Sequence, residues 1–407
     1  MYTFIIYIYI LLVRLAALFG YRKAKQMLEG HKETFRLLKE KVKPGTKYVW
    51  FHASSLGEFE QGRPMIEKLR AEHPEYRVIL TFFSPSGYNT AKNYQQADVV
   101  CYLPFDTKRN VRKFFAIFRP EIAFFIKYEF WLNFLLGLKK LSVPVYSVSS
   151  IFRTEQAFFK PWGGRYRLAL HCFDRIFVQN EKSKELLKTI KVENVSVVGD
   201  TRFDRVAKIL KQARQLPLVE AFVEGDRKVF VVGSSWGNDE AIYMPYFNEH
   251  KDWKLIIASH EVNEERIKAI TTQYKGVCVR YTKATMEEVK AADCLIVDCF
   301  GLLSSIYRYG DIAYVGGGFG VGIHNVLEAA VYGLPVFFGP NNAKFQEAQC
   351  LKACGGGIEI ASTFAFGEKM DFFTSNPEAE KAAGEAAGKY VSGNAGASQK
   401  IFDELGL

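Results

Sequence analysis

Two kinds of residue in this chain have the types and spacing to do chemistry: glycines placed to expose backbone N–H groups, and acids placed just after apolar runs. The stretch GGGFGVGIHNVLEAAVYGLPVFFGP, residues 316–340, follows a short apolar run and carries a His-Asn pair and Glu328. Glycines 316, 317, 318, 320 and 322 leave backbone N–H groups bare, and a helix beginning near Asn325 aims its partial positive end into the same space. That predicts an anion site with Gly317, Gly318, His324, Asn325 and Glu328 around it. The glycines fall as GxGxG rather than GxGxxG, and no Lys-Ser/Thr ending follows, so the phosphate is not one held in a dinucleotide or Walker loop. The acids are Glu58, in HASSLGEFEQGRP (52–64), and Glu129, in KYEFWLN (127–133). Gly57 permits a tight turn that places Glu58 in a first helical turn, where it can act as a general base or simply complement the helix dipole. Glu129, beside Trp131, is either a working acid or a buried carboxylate that holds loops together.

Weaker candidates sit in equivalent places. SPSGYN (84–89), with Ser86 and Gly87, has the composition of a binding turn. Ser234 and Ser235, in VVGSSWGNDE, can hold a phosphate or cap a helix. His260 follows KLIIASH, and Arg202 and Asp204 lie in GDTRFD, as a crossing pair or an ordinary surface pair.

The elements that must position these residues can be read from alternation. KYVWFHAS, YRVILTFF, EIAFFIKY, VPVYSVSS, DRIFVQN and VSVVGD alternate with helical stretches beginning near Glu58, Ser86, Trp131 and Ser183. A second series, KVFVVGSS, WKLIIASH, CLIVDC, IAYVGGG and LPVFFGP, follows a polar stretch, Thr201–Arg227, expected to be the linker. This predicts an α/β fold of two Rossmann-like domains, 21–205 and 206–407, with a cleft between them. Ligand loops should lie at the carboxyl ends of the strands, where the candidates above fall.

At 407 residues and 48% hydrophobic content, two sizeable cores are expected. Seven cysteines, an odd number with no CxxC pair, read as reduced thiols rather than disulfides or metal ligands. The net charge of +10 is dispersed and no nucleic-acid-binding signature is present, which excludes nucleic acid as the expected partner and favours an acidic lipid surface. Residues 2–19, YTFIIYIYILLVRLAALF, would reach about 27 Å as a helix, just short of a hydrocarbon core of about 30 Å. Residues 1–20 are expected to form a membrane anchor, with an amphipathic or buried first helix as the alternative. Nine Lys/Arg against three Glu between Arg22 and Lys47 favour a body on the cytoplasmic side.

Taken together, WFHASSLGEFEQGRPMIEKLR, SPSGY, EFWLN, GDTRFD and the glycine segment resemble, in order and approximate spacing, the Kdo transferases. These enzymes move 3-deoxy-D-manno-octulosonic acid (Kdo) from CMP-Kdo to a lipid A precursor in lipopolysaccharide biosynthesis. The resemblance implies a GT-B glycosyltransferase fold, with the acceptor on the first domain and the nucleotide sugar on the second. It also implies an enzyme at the inner membrane with CMP-Kdo, lipid A precursor and the membrane surface as partners, and with no cofactor or metal. It carries the catalytic acids onto Glu58 and Glu129, and donor contacts onto Ser234, Ser235, His260, Gly317, Gly318, His324, Asn325 and Glu328. The expected acceptor contacts are Ser55, Ser86, Gly87 and Arg202. The chain departs from the family pattern at Lys127, Leu132 and Ser259-His260-Glu261, where an arginine is usual, with Arg266 or Lys344 as replacements for that charge. Two other readings stand beside this one: another GT-B transferase or an epimerase using a different nucleotide sugar, and a catalytically silent membrane-anchored binding protein.

Overall fold

The run YVWFHA forms a strand, Tyr48–Ala53 (β1), buried at every position. A strand buried on both faces needs helices above and below it, and therefore a parallel sheet. β1 is joined by Arg77–Phe82 (β2), Val99–Tyr102 (β3), Ile122–Ile126 (β4), Val145–Ser150 (β5), Arg175–Val178 (β6) and Val195–Val197 (β7), in the order β3-β2-β1-β4-β5-β6-β7. Alternate side chains feed two cores: Trp50 and Phe125 pack on one face, Phe51 and Phe124 on the other. A second parallel sheet contains Lys228–Ser235 (β8), Trp253–Ser259 (β9), Cys278–Arg280 (β10), Cys294–Ile296 (β11), Ile312–Val315 (β12), Val336–Phe338 (β13) and Gly357–Glu359 (β14). Its order is β10-β11-β9-β8-β12-β13-β14.

This computed structural model describes residues 2–320 and 322–407. The chain divides into two compact units, the first running to Arg205 and taking in residues 395–407, the second Val206–Asn394. The last residues, expected to belong to the second domain, pack with the first. The reason is local: Asp204 accepts hydrogen bonds from the backbone N–H groups of Gly396 and Ser398 at the start of the helix Ala397–Leu405, whose Ile401 and Phe402 are fully buried in the first unit. The expected linker also contains two helices, Arg202–Lys211 and Pro217–Val223. β3, β10 and β14 were not expected.

The N-terminal segment expected as a membrane anchor forms a helix, Tyr2–Leu18. Among the described residues no helix is long and apolar enough to cross a membrane. One face of this helix, Ile6, Ile10, Val13 and Ala17, packs with Ala24, Met27 and Phe105 of the protein body. Its first turn is tied down as well: Tyr2 donates to Asp106 at 2.7 Å, and Asp106 accepts the backbone N–H groups of Asn133 and Phe134 at 3.0 Å each. Phe4, Ile5, Ile8, Leu11, Leu12 and Leu15 face outward and are exposed. The helix is thus divided between an inner and an outer apolar face.

Three non-glycine residues with left-handed backbone stand at strand carboxyl ends: Lys127 after β4, Ser149 in β5 and Ser234 in β8, with φ of 58°, 55° and 54°. Such conformations persist only where their surroundings enforce them, and they concentrate at sites.

Candidate active site

Where strand order reverses in an open α/β sheet, loops diverge to opposite faces and leave a crevice. In the first sheet that point lies between β1 and β4, the strands that lead to Glu58 and Glu129. In the second it lies between β8 and β12, the strands that lead to Ser234-Ser235 and the glycine loop.

Glu58 stands in the first turn of the helix Leu56–Glu72. Its Oε2 accepts from the backbone N–H of Ser54 and, at 3.2 Å, from that of Ser55, so the carboxylate is fixed against the turn that follows β1. Burial, and then the negative charge of Glu129, push its pKa up to about 7, despite the two backbone donors and the nearby Lys127 ammonium. A carboxylate held near neutrality is suited to exchange a proton with a hydroxyl.

Glu129 is buried, and its Oε2 lies 2.6 Å from Trp131 Nε1 and 3.1 Å from His52 Nε2. His52, fully buried in β1, reaches Thr81 Oγ1 at 2.9 Å through its other ring nitrogen, and Trp50 Nε1 donates to the same Oγ1 at 2.8 Å. His52 and Thr81 therefore orient Glu129 from below. The sequence reading passed over His52; its signal was a polar residue inside an otherwise apolar strand.

The expected acceptor residues ring the Glu58 helix. Ser84 N donates to Ser54 O at 2.8 Å, seating the helix Pro85–Ala91 against the turn, and Ser86 Oγ lies 2.8 Å from Ser84 Oγ. A Cβ on Gly87 would come within 2.3 Å of the Phe82 ring and 3.1 Å of Ser55 C, so only glycine allows this approach. Arg202 pairs with buried Asp200 at 2.8 Å, and Asp200 accepts from Gln61 Nε2 of the Glu58 helix at 3.0 Å.

In the second unit, Trp236, His260 and His324 form a three-ring stack, with centroids 4.4 Å apart for Trp236–His260 and 4.5 Å for His260–His324. Trp236 Nε1 donates to His324 Nε2 at 3.3 Å, and burial, then His260, lower the His324 pKa. Asn325 Nδ2 donates to Glu328 Oε1 at 3.0 Å. Ser235 Oγ donates to buried Glu240 at 3.2 Å, and Glu240 pairs with Arg266, whose Nε lies 3.4 Å from Ser259 Oγ. The Arg266 guanidinium is thus beside the Ser259-His260 position where a cation was expected.

The glycine loop differs from expectation. Most of its N–H groups are engaged internally: Gly316 with Gly233 O at 2.9 Å, Gly317 with Asp239 Oδ2 at 2.9 Å, and Gly320 and Gly322 with Gly317 O at 3.0 and 3.1 Å. The helix after it is one turn, Leu327–Ala330. These glycines serve close backbone approach, since a Cβ on Gly316 would meet Ser234 O at 2.4 Å and one on Gly318 would meet Gly339 Cα at 2.5 Å. Asp239 pins the loop, accepting also from Tyr314 Oη at 2.9 Å and Trp236 N at 2.9 Å. It was missed in the sequence, where its position three residues after Trp236 was the available signal. Among the described residues no group of three or more His, Cys, Asp or Glu side chains is placed to hold a metal ion.

The chain is similar to known proteins in sequence and in fold. Residues 29–205 match the family described as 3-deoxy-D-manno-octulosonic-acid transferase (kdotransferase). The chain is 27% identical over 331 residues to the 3-deoxy-D-manno-octulosonic acid transferase of Aquifex aeolicus, covering 79% of this chain and 84% of that protein. It is 27% identical over 372 residues to that of Rickettsia felis, with 88% and 77% covered. Among solved structures, a UDP-GlcNAc 2-epimerase from Neisseria meningitidis superposes with a TM-score of 0.63 at 16% identity, covering 88% of this chain and 99% of that one. MurG of Acinetobacter baumannii does so with a TM-score of 0.55 at 11% identity, covering 88% and 98%. At these identities the structural likeness establishes the fold: two parallel-sheet α/β units of the GT-B kind.

Proposed function

We propose that this chain, which matches the 3-deoxy-D-manno-octulosonic-acid transferase family over residues 29–205 and is 27% identical to two transferases of that name, is an inverting glycosyltransferase moving Kdo from CMP-Kdo to a sugar hydroxyl of a lipid A precursor. The observation that carries the catalytic assignment is Glu58: a carboxylate fixed by backbone donors at the crevice of the first sheet, with a pKa raised to about 7.

In the proposed reaction the acceptor hydroxyl attacks the anomeric carbon of Kdo from the side opposite CMP. The new C–O bond forms as the bond to the CMP phosphate breaks, the bonding pair leaves with CMP, and the hydroxyl proton passes to Glu58. A positioned base of this kind contributes about 100- to 10,000-fold. Glu129 raises the basicity of Glu58 through its charge, and His52 and Trp131 keep Glu129 in place. Ser55, Ser86, Gly87 and Arg202 border the acceptor; Ser234, Ser235, the His260–His324 stack, Gly317, Gly318, Asn325 and Glu328 border the donor, with Arg266 nearby as a cation for the phosphate. The outward apolar face of the first helix, followed by the basic segment Arg22–Lys47, supports attachment to the cytoplasmic face of the inner membrane, where such an acceptor resides.

The likeness of fold to UDP-GlcNAc 2-epimerases favours a second reading, a UDP-sugar enzyme. Thermal unfolding separates them. CMP is expected to raise the melting temperature of the protein while UDP at the same concentration leaves it unchanged. Protection by UDP and none by CMP would transfer the assignment to the second reading.

A further inference from the structure

Beside Glu129, within the first unit, lies a cavity of about 340 Å³ whose walls include Tyr2, Ile6, Phe130, Phe158 and Ala169. Among the described residues, Glu129 and Arg165 are the only charged side chains in its lining. Its size falls within the range of small-molecule sites, about 300–1,000 Å³.

The walls are built rather than left over. Tyr2 is held by its hydrogen bond to Asp106 at 2.7 Å. Phe130 packs edge-to-face on Phe158 with centroids 5.1 Å apart, and Arg167 Nε donates to Phe158 O at 2.8 Å, fixing the turn that carries it. The lining sets the chemistry of the occupant: an apolar body, with a polar end beside Glu129. Tyr166, in the lining, packs edge-to-face on Phe158 with centroids 6.4 Å apart and on exposed Trp162 at 6.0 Å, and the helix that supplies Tyr2 and Ile6 also carries exposed Phe4 and Ile5.

We infer that this cavity receives one aliphatic chain of the acceptor, with the first turn of the N-terminal helix as the wall that limits how much chain enters. The inference rests on the reading that the acceptor is an acylated sugar. It gives the N-terminal helix a part in substrate selection besides any contact with lipid. The reacting hydroxyl is then positioned by its own substrate's chain, since binding energy gathered away from the reacting atoms can be used to orient them.

The test compares two acceptors with CMP-Kdo as donor: a tetraacylated, phosphorylated glucosamine disaccharide and the same disaccharide stripped of its chains. Wild-type protein is expected to prefer the acylated acceptor in kcat/KM. Ala169→Phe, which fills the cavity from one wall, should reduce that preference at least tenfold, as loss of about a methylene or more of pocket contact does. Ile6→Trp fills it from the opposite wall and should act in the same sense, so the test survives if one variant fails to fold. In wild type, dodecanoate should compete with the acylated acceptor and leave transfer to the stripped one unaffected. An unchanged preference in the folded variants, or dodecanoate acting equally on both acceptors, overturns the assignment. Transfer to neither acceptor by wild type would instead overturn the functional reading beneath it.

Discussion

At the scale of the residue, two readings of Glu58 that looked like rivals are compatible. Its bond to the Ser55 N–H is that of a capping box, and this bond and the one from Ser54 fix the carboxylate while burial and Glu129 raise its pKa to about 7. A base works only when ionised, so the rate of transfer is expected to rise with pH through about 7 and then level off. Glutamine also closes a capping box, so Glu58→Gln should keep its circular dichroism spectrum while transfer falls about 100- to 10,000-fold. A variant retaining more than about a tenth of the wild-type rate removes Glu58 from the role of base. Stability has a sign of its own. The folded pKa lies above the ordinary 4.5, so the fold binds the proton more tightly than the unfolded chain does. Wild type therefore loses stability as pH rises from 4.5 through about 7, and the Gln variant, which cannot ionise, gains on it across that window. Glu58 was legible in the sequence as a candidate only, because a Gly-Glu pair after an apolar run serves equally to complement a helix dipole. His52 was not, because its role depends on Thr81 and Glu129, which only the sheet brings alongside it.

At the scale of the element, the strands and the order of the loops were legible from the alternation of apolar and helical stretches, and the glycine loop was legible as a place. What it does was not. The pattern of five glycines suggested bare donors, whereas the backbone of β12's loop packs directly on Ser234 and Gly339, and Asp239 takes the Gly317 N–H. Side chains do not encode such close backbone approach except by being absent. Two substitutions separate these roles. Gly316→Ala drives a Cβ into Ser234 O and is expected to destabilise the second unit by about 1–3 kcal/mol in urea unfolding and to weaken CMP binding. Gly320→Ala, whose Cβ would meet only Gly317 O at 3.6 Å, should be close to neutral in both measurements. Equal losses from the two would show that the close approach of Gly316 to Ser234 is not what the loop's glycines serve.

At the scale of the whole molecule, the division into two α/β units was predictable, but the return of the last helix to the first unit was not. ASQKIFDEL carries few apolar residues, and its partner, Asp204, lies far upstream in sequence. Two of its side chains, Ile401 and Phe402, are fully buried, so deletion of residues 395–407 should destabilise the first unit by roughly 3–6 kcal/mol. Limited proteolysis of the truncated protein should then cut first within residues 48–205, and cleavage confined to the second unit would show that the helix is dispensable there. The N-terminal helix poses the complementary case: a strongly apolar segment, marginal as a span in the sequence, whose inner face is covered by the body of the protein. The central claim, that these two units together transfer Kdo, is met most directly by mass spectrometry of a reaction containing the purified protein, CMP-Kdo and a tetraacylated lipid A precursor. The account predicts an acceptor heavier by whole Kdo residues, with one CMP released for each, and no such product from Glu58→Gln. CMP binding without any change in acceptor mass would contradict it.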